Sequence, residues 1–150
     1  MGLNFLMLAL SLLMSSYKKG SCVTSEMTSA AVDQLKKFNM VQQYPVYLKR
    51  NKKADNEGTF KQVLTLNRGV RYKFFAIKNP DYTGQPVLTI YNNEKMEFMI
   101  GSTYNASFKR FYNELEFECK TSGNYCFTLN FLDGEEGCAL GVYSSLIQAK

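Results

Sequence analysis

Residues 67–77, NRGVRYKFFAI, contain a turn followed by an alternating stretch, and they decide the fold class. Asn67, Arg68 and Gly69 form a turn signal, since glycine accepts the positive φ that tight turns often need. Beyond them, every second residue is apolar, whereas the opposite row begins with two cations. The apolar row consists of Val70, Tyr72, Phe74 and Ala76. Because a period of two is typical of a strand with one buried face, we predict a β-strand behind a turn.

Further segments on both sides of this strand have the same strand-like composition. They are residues 60–66, 87–91, 96–100, 115–119, 125–131 and 138–143. Turn-forming clusters at residues 92–94, 122–124 and 133–135 separate them. Short strands with regular turns and no helical period between them favour an all-β antiparallel β-sandwich of about seven to eight strands. A closed barrel is the alternative.

One amphipathic helix is predicted before the strands, beginning at Thr24 or Ser25. Its apolar stripe consists of Met27, Ala31, Leu35 and Phe38, and its polar side of Asp33, Lys36 and Lys37. We expect this helix to cap one end of the β core, with a partner-binding role as the alternative. The predicted organisation is a signal peptide at 1–22, the helix and a linker at 23–58, and the β-sandwich domain at 59–150.

The apolar run at residues 3–14 is typical of a secretory signal, although no basic residue precedes it. About a dozen apolar residues are too few to span a bilayer as a helix, which needs roughly 20. Gly20 and Ser21 before Cys22 match part of a lipoprotein box, whereas Lys19 departs from it. We therefore expect an exported protein that is periplasmic, outer-membrane-associated or secreted. It would be attached to a membrane only if Cys22 is lipidated.

Composition excludes several functions. The formal net charge of +5 comes without a basic face, so no nucleic-acid partner is expected. The dense basic run at residues 49–53 precedes a polar stretch at 54–58 and is predicted to be a solvated loop. The chain has no histidine and no nucleophile motif such as Ser-x-x-Lys, and its cysteine spacing is poor for zinc. We therefore predict no enzyme, catalytic residue, metal or cofactor.

Two acidic groups are candidates for chemistry. Glu114, Glu116 and Glu118 share one strand face, where they could serve a carboxylate-based hydrolase or a Ca²⁺ site. We favour a solvated face in which Arg71 and Lys73 pair with them across strands. The acidic residues at 133–136 lie in a glycine-bounded turn, for which a plain turn is preferred over a calcium loop.

Strand parity places the cysteines. Cys119 falls with the apolar residues of its strand, and Cys138 falls with Leu140 and Val142, so both are expected to point inward. Cys126 falls opposite its apolar row. Four cysteines allow three pairings, of which we favour Cys119 with Cys138. Cys22 with Cys126 follows if Cys22 is not lipidated.

The segment 101–113 has more aromatic residues than a turn requires. The candidate binding residues are Tyr104, Phe108, Lys109, Arg110, Phe111 and Tyr112. Aromatic faces with adjacent polar groups bind sugars or partner proteins, and loops on a rigid sandwich are common recognition sites. The alternative is that these rings cover an open end of the core.

Residues 117–125, FECKTSGNY, and 137–141, GCALG, resemble the last strands of small exported β-sandwich proteins of Gram-negative bacteria. More weakly, they resemble the GOLD and prepeptidase C-terminal domains. The resemblance implies jelly-roll-like topology and a binding or assembly role, and it carries over no catalytic residue. We therefore expect a non-catalytic binding or assembly module at the cell envelope, with an envelope protein or glycan as partner. The alternatives are a carbohydrate or small-ligand binder using residues 101–113, and a carboxylate-based hydrolase.

Overall fold

The computed structural model describes residues 22–53 and 58–146. The predicted signal segment therefore lies outside the described residues, apart from Cys22, and so does most of the polar stretch at 54–58. The helix is α1 (Ser25–Leu35), and a short 3-10 turn covers Leu132–Gly134. The strands are β1 (Asn39–Leu48), β2 (Thr59–Leu66), β3 (Arg71–Lys78), β4 (Pro86–Tyr91), β5 (Met99–Ser102), β6 (Tyr104–Asn105), β7 (Arg110–Phe111), β8 (Leu115–Glu118), β9 (Gly123–Phe131) and β10 (Gly137–Leu146).

Eight of these strands form two antiparallel sheets. The first sheet has the order β1-β10-β3-β8 and the second the order β2-β9-β4-β5, while β6 and β7 pair only with each other. Both sheets interleave strands from the beginning and the end of the chain, which is the double Greek-key arrangement of a jelly roll. The predicted all-β sandwich is confirmed, and the closed barrel is wrong.

The main core lies between the two sheets. The predicted apolar row of β3 faces it, with Tyr72 and Phe74 buried. The ring of Phe74 stacks on that of Tyr143 at 5.4 Å and on that of Phe117 at 5.8 Å between centroids. Burying one such side chain contributes about 1.5–3 kcal/mol, so this aromatic layer is a major stabilising element. The other row of β3 points to the opposite face of the first sheet.

Helix α1 covers that opposite face. Thr24 caps the helix by accepting a hydrogen bond from the Met27 N–H at 3.3 Å. The predicted stripe is buried against apolar side chains of β3 and β10: its members are Met27, Ala31, Leu35 and Phe38. The predicted helix is therefore confirmed, but it lies on a sheet face instead of capping an end of the core.

Strand β1 lies inside the segment 23–58, part of which we predicted to be a linker. Its residues pair with β10 from Asn39 opposite Ser145 to Leu48 opposite Gly137, with an irregularity between Met40 and Gln42. Val46 is buried in the main core. The linker prediction is wrong for these residues, and the sandwich begins at residue 39.

The disulfide joins Cys22 to Cys138, 116 residues apart in sequence. The predicted Cys119–Cys138 bridge is wrong because the two residues face different clusters: Cys119 lies in the core between the sheets and Cys138 beneath α1. Cys126 is a free, buried thiol, as is Cys119, so the Cys22–Cys126 alternative is also wrong. A disulfide is typical of an oxidising compartment.

None of the helices in the described part of the chain has the length and apolar character needed to cross a membrane.

Candidate functional site

The candidate binding segment 101–113 folds into a small hairpin of its own. Strands β6 and β7 pair Tyr104 with Phe111 and Asn105 with Arg110. The Asn105 side chain closes the turn by accepting a hydrogen bond from the Phe108 N–H at 3.2 Å. At the base, the Tyr112 N–H donates to the Thr103 carbonyl at 2.8 Å. The hairpin therefore stands as a defined element outside both four-stranded sheets.

The aromatic side chains of this hairpin remain accessible. The ring of Tyr104 packs on that of Phe111 at 4.7 Å, and the Arg110 guanidinium lies 5.2 Å from the centre of the Tyr112 ring. Phe108 at the tip is 78% exposed. Rings that covered an open end of the core would be buried, so the alternative explanation fails for Phe108. Lys109, with φ 49°, lies in the turn beside it.

A groove of about 490 Å³ runs beside the hairpin. It is lined by the end of α1, the end of β3, the start of β4 and the base of the hairpin. The lining residues are Gln34, Lys36, Ala76, Lys78, Gln85, Pro86, Thr103, Phe111, Tyr112, Asn113 and Glu114. This volume falls within the range of about 300–1,000 Å³ that small-molecule sites occupy. Of the predicted binding residues, only Phe111 and Tyr112 line it.

A polar network fixes one wall of the groove. The Gln34 side-chain amide donates to the Asn113 carbonyl at 3.0 Å and to a Glu114 carboxylate oxygen at 3.3 Å. The ammonium of Lys73, whose side chain is 3% exposed, lies 3.4 Å from the other oxygen of Glu114 and donates to the Gln34 carbonyl at 3.3 Å. It also lies 4.7 Å from the centre of the Phe38 ring. These contacts tie the end of α1 to the segment that follows the hairpin.

The three glutamates around β8 are each paired with a cation. Lys73 pairs with Glu114 as described, Arg71 contacts Glu116 at 3.4 Å, and Lys120 contacts Glu118 at 2.9 Å. The hydrogen bond from Lys120 lowers the pKa of Glu118 below its usual value. The predicted pairing of Arg71 and Lys73 with this acidic face is confirmed.

The second acidic group is also engaged in ion pairs. Glu135 contacts Arg50 at 2.7 Å and also pairs with Lys52, so the basic loop is joined to the acidic turn. The hydrogen bond from Lys52 is the largest cause of a lowered pKa for Glu135. The Tyr47 hydroxyl donates to Glu136. Among residues 22–53 and 58–146, no group of three or more Cys, Asp or Glu side chains is placed to hold a metal ion.

The free thiols are not arranged as nucleophiles. Cys119 donates to the Thr121 carbonyl at 3.2 Å and contacts the Tyr125 hydroxyl at 3.6 Å. Burial raises the pKa of Cys126. Because the thiolate is the reactive form, burial and a raised pKa both make Cys126 a poor nucleophile.

Of the six groove residues outside residues 101–114, the four polar ones are not indicated as site residues by the sequence: Gln34, Lys36, Lys78 and Gln85. They belong to three separate parts of the chain, and none of those segments has a motif that would draw attention to it. Single lysines such as Lys36 and Lys78 are ordinary surface residues, so the sequence alone does not distinguish them as ligand-binding residues.

Known proteins do not indicate a function for this chain. A scan of protein-family models finds none that matches this chain, and a search of curated proteins finds no similar sequence. Function is therefore inferred from the groove and its chemistry.

Proposed function

We propose that this protein is a non-catalytic, exported binding module whose groove beside the β6–β7 hairpin takes a glycan or another small ligand. The observation that carries the proposal is the combination of exposed aromatic rings with a groove of about 490 Å³. Phe111 and Tyr112 are 42% and 41% exposed and form one side of it. Accessible rings next to amide groups are typical of sites that bind sugar faces and hydroxyls.

The ion pairs around β8 support a role without catalysis. A carboxyl group that acts as a general acid near neutral pH needs a raised pKa. The lowered pKa of Glu118 is the opposite of this requirement, and Glu114 and Glu116 each have a cationic partner. A carboxylate-based hydrolase is thus the less favoured function.

The disulfide and the N-terminal apolar run support export. An oxidising compartment is where a Cys22–Cys138 bridge would form and persist. We place the mature protein in the periplasm, at the outer membrane or outside the cell. A thioether-linked lipid on Cys22 needs the sulfur that forms the bridge, so lipidation and the bridge exclude each other in one molecule.

A glycan array, followed by titration of each hit, tests the proposal. Wild-type protein should bind a ligand that Tyr112→Ala binds at least about tenfold more weakly, because a ring that covers a ligand contributes about 1.4 kcal/mol or more. Phe98→Ala is the matched control, since Phe98 is 69% exposed but does not line the groove. It should bind like the wild type. Equal binding by Tyr112→Ala and wild type, or no binding to any glycan on the array, would overturn the proposal of a glycan-binding groove.

A further inference from the structure

Lys36 lies in a backbone conformation that a lysine rarely adopts. It follows the last residue of α1 and has φ 54° and ψ −113°. The Phe38 N–H donates to the Leu35 carbonyl at 3.0 Å, which closes a four-residue turn with Lys36 at its second position. These angles are those of a type II′ turn, where glycine is preferred because a Cβ is crowded. A strained residue of this kind persists where the surrounding structure enforces it, and such residues cluster at functional sites.

The strained lysine lines the groove together with a second lysine. Lys78, from the end of β3, is the other cation among the lining residues, and Glu114 is the carboxylate among them. Lys73, which is buried and does not line the groove, neutralises Glu114 through their ion pair. Within the part of the chain that the structure describes, neither Lys36 nor Lys78 forms an ion pair. The groove therefore presents two positive charges that its own residues do not balance.

The remaining lining groups suit the rest of a saccharide. Phe111 and Tyr112 offer ring faces to the C–H surface of a sugar, and the amides of Gln85 and Asn113 offer hydrogen bonds to hydroxyls. An anion without a ring, such as inorganic phosphate, would use the lysines and leave both aromatic side chains unused.

We propose that the groove binds an acidic saccharide, with the sugar carboxylate between Lys36 and Lys78 and a sugar ring against Tyr112. Lys36 determines the preference for acidic over neutral sugars, and its strained conformation is retained because it serves this contact. This inference rests on the proposed binding function and names the ligand class of the same groove.

Titration of the wild-type protein with digalacturonic acid and with neutral galactobiose tests the ligand class. Digalacturonic acid should bind at least about tenfold more tightly than galactobiose at low salt, and its affinity should fall as salt is added. Equal affinities would overturn the acidic preference while leaving the binding function intact. Binding of inorganic phosphate, with the same dependence on Lys36 and without binding of digalacturonic acid, would also overturn it.

Lys36→Gly tests the role of the strained residue in two independent readouts. Glycine accepts the turn without strain, so the melting temperature should rise by about 4 °C, while affinity for digalacturonic acid should fall at least about tenfold. Lys37→Gly is the matched control: it removes a neighbouring exposed lysine outside the groove lining and should leave affinity within about twofold. A Lys36→Gly protein that melts lower than the wild type, or that binds digalacturonic acid equally well, would overturn the assignment.

Discussion

The Cys22–Cys138 bridge is the feature whose removal should cost the most stability. It joins residues 116 apart in sequence, and every strand except part of β10 lies between them. In the chain-entropy model, a crosslink closing a loop of this length stabilises the folded state by about 5 kcal/mol at 25 °C. Because domains of this size have a total stability of only about 5–15 kcal/mol, loss of the bridge should remove a large part of it.

Cys22→Ser is the better variant for this test. Cys22 is half-buried, whereas Cys138 is fully buried beneath α1, so substitution at Cys22 disturbs the packing less. Thermal unfolding followed by far-UV circular dichroism, with and without reductant, measures the effect. The wild-type melting temperature should fall by about 15 °C on reduction. Cys22→Ser should melt at the lower temperature in both conditions.

A matched control separates loss of the bridge from loss of a thiol. Cys126 is buried and free, so Cys126→Ser should melt only slightly lower than the wild type and keep its sensitivity to reductant. Intact mass should increase by the two hydrogens of one bridge, at about 2 Da, when the wild type is reduced. A wild-type protein that melts within about 3 °C of its oxidised form after reduction would refute the calculation.

Two further outcomes are expected from buried polar groups. Lys73→Ala and Lys73→Met each leave Glu114 without its cation, so both should lower the free energy of unfolding in urea by about 3 kcal/mol, the methionine variant somewhat less because it keeps an apolar contact with the Phe38 ring. A Lys73→Met protein as stable as the wild type would contradict the ion-pair explanation. Burial is the largest cause of the pKa of Tyr125 being raised to about 12, and its hydroxyl donates to the Thr121 carbonyl at 2.6 Å. Since the folded-state pKa is above the unfolded value near 10, this contribution to stability is complete below pH 10 and is lost as pH rises toward 12. Tyr125→Phe should therefore lose stability less steeply over that range, and an unchanged slope would contradict the assignment.

The strands and the helix could be predicted because each is governed by local periodicity. The alternation in β3 and the apolar stripe of α1 predict which side chains are buried, and the structure buries or partly buries the predicted side chains of both elements. Strand β5 begins at Met99, three residues later than the strand predicted at residues 96–100, because the preceding turn is longer than its sequence suggests. In this turn Met96 adopts φ 57°. The side-chain oxygens of Asn93 and Asn92 accept hydrogen bonds from the backbone N–H groups of Glu97 and Phe98, respectively.

Strand β1 was missed for a different physical reason. It lies at the edge of the first sheet, and an irregular register between Met40 and Gln42 interrupts its period. Exposed apolar residues such as Val41 and Tyr47 further obscure the alternation. Pro45 also argues against a strand in sequence, although an edge strand can accommodate it.

The disulfide could not be predicted from strand parity alone. Parity correctly grouped Cys138 with Leu140 and Val142, but this row packs against α1 and not between the sheets. Both faces of the first sheet are apolar: one packs against the second sheet and the other against α1. A buried cysteine on this sheet can therefore belong to either of two hydrophobic clusters. The choice between them depends on where the helix docks, which is a tertiary property.

The groove depends on the same docking. The N-terminal end of α1 is held by the disulfide and by the Asn79 side-chain amide, which donates to the Cys22 carbonyl at 2.7 Å. Its other end is held by the contacts of Gln34 with Asn113 and with Glu114. A wall fixed at both ends loses little conformational freedom when a ligand binds, so more of the contact energy appears as affinity. In the binding function that we propose, the Cys22–Cys138 bridge would thus also contribute to affinity by holding α1 in place.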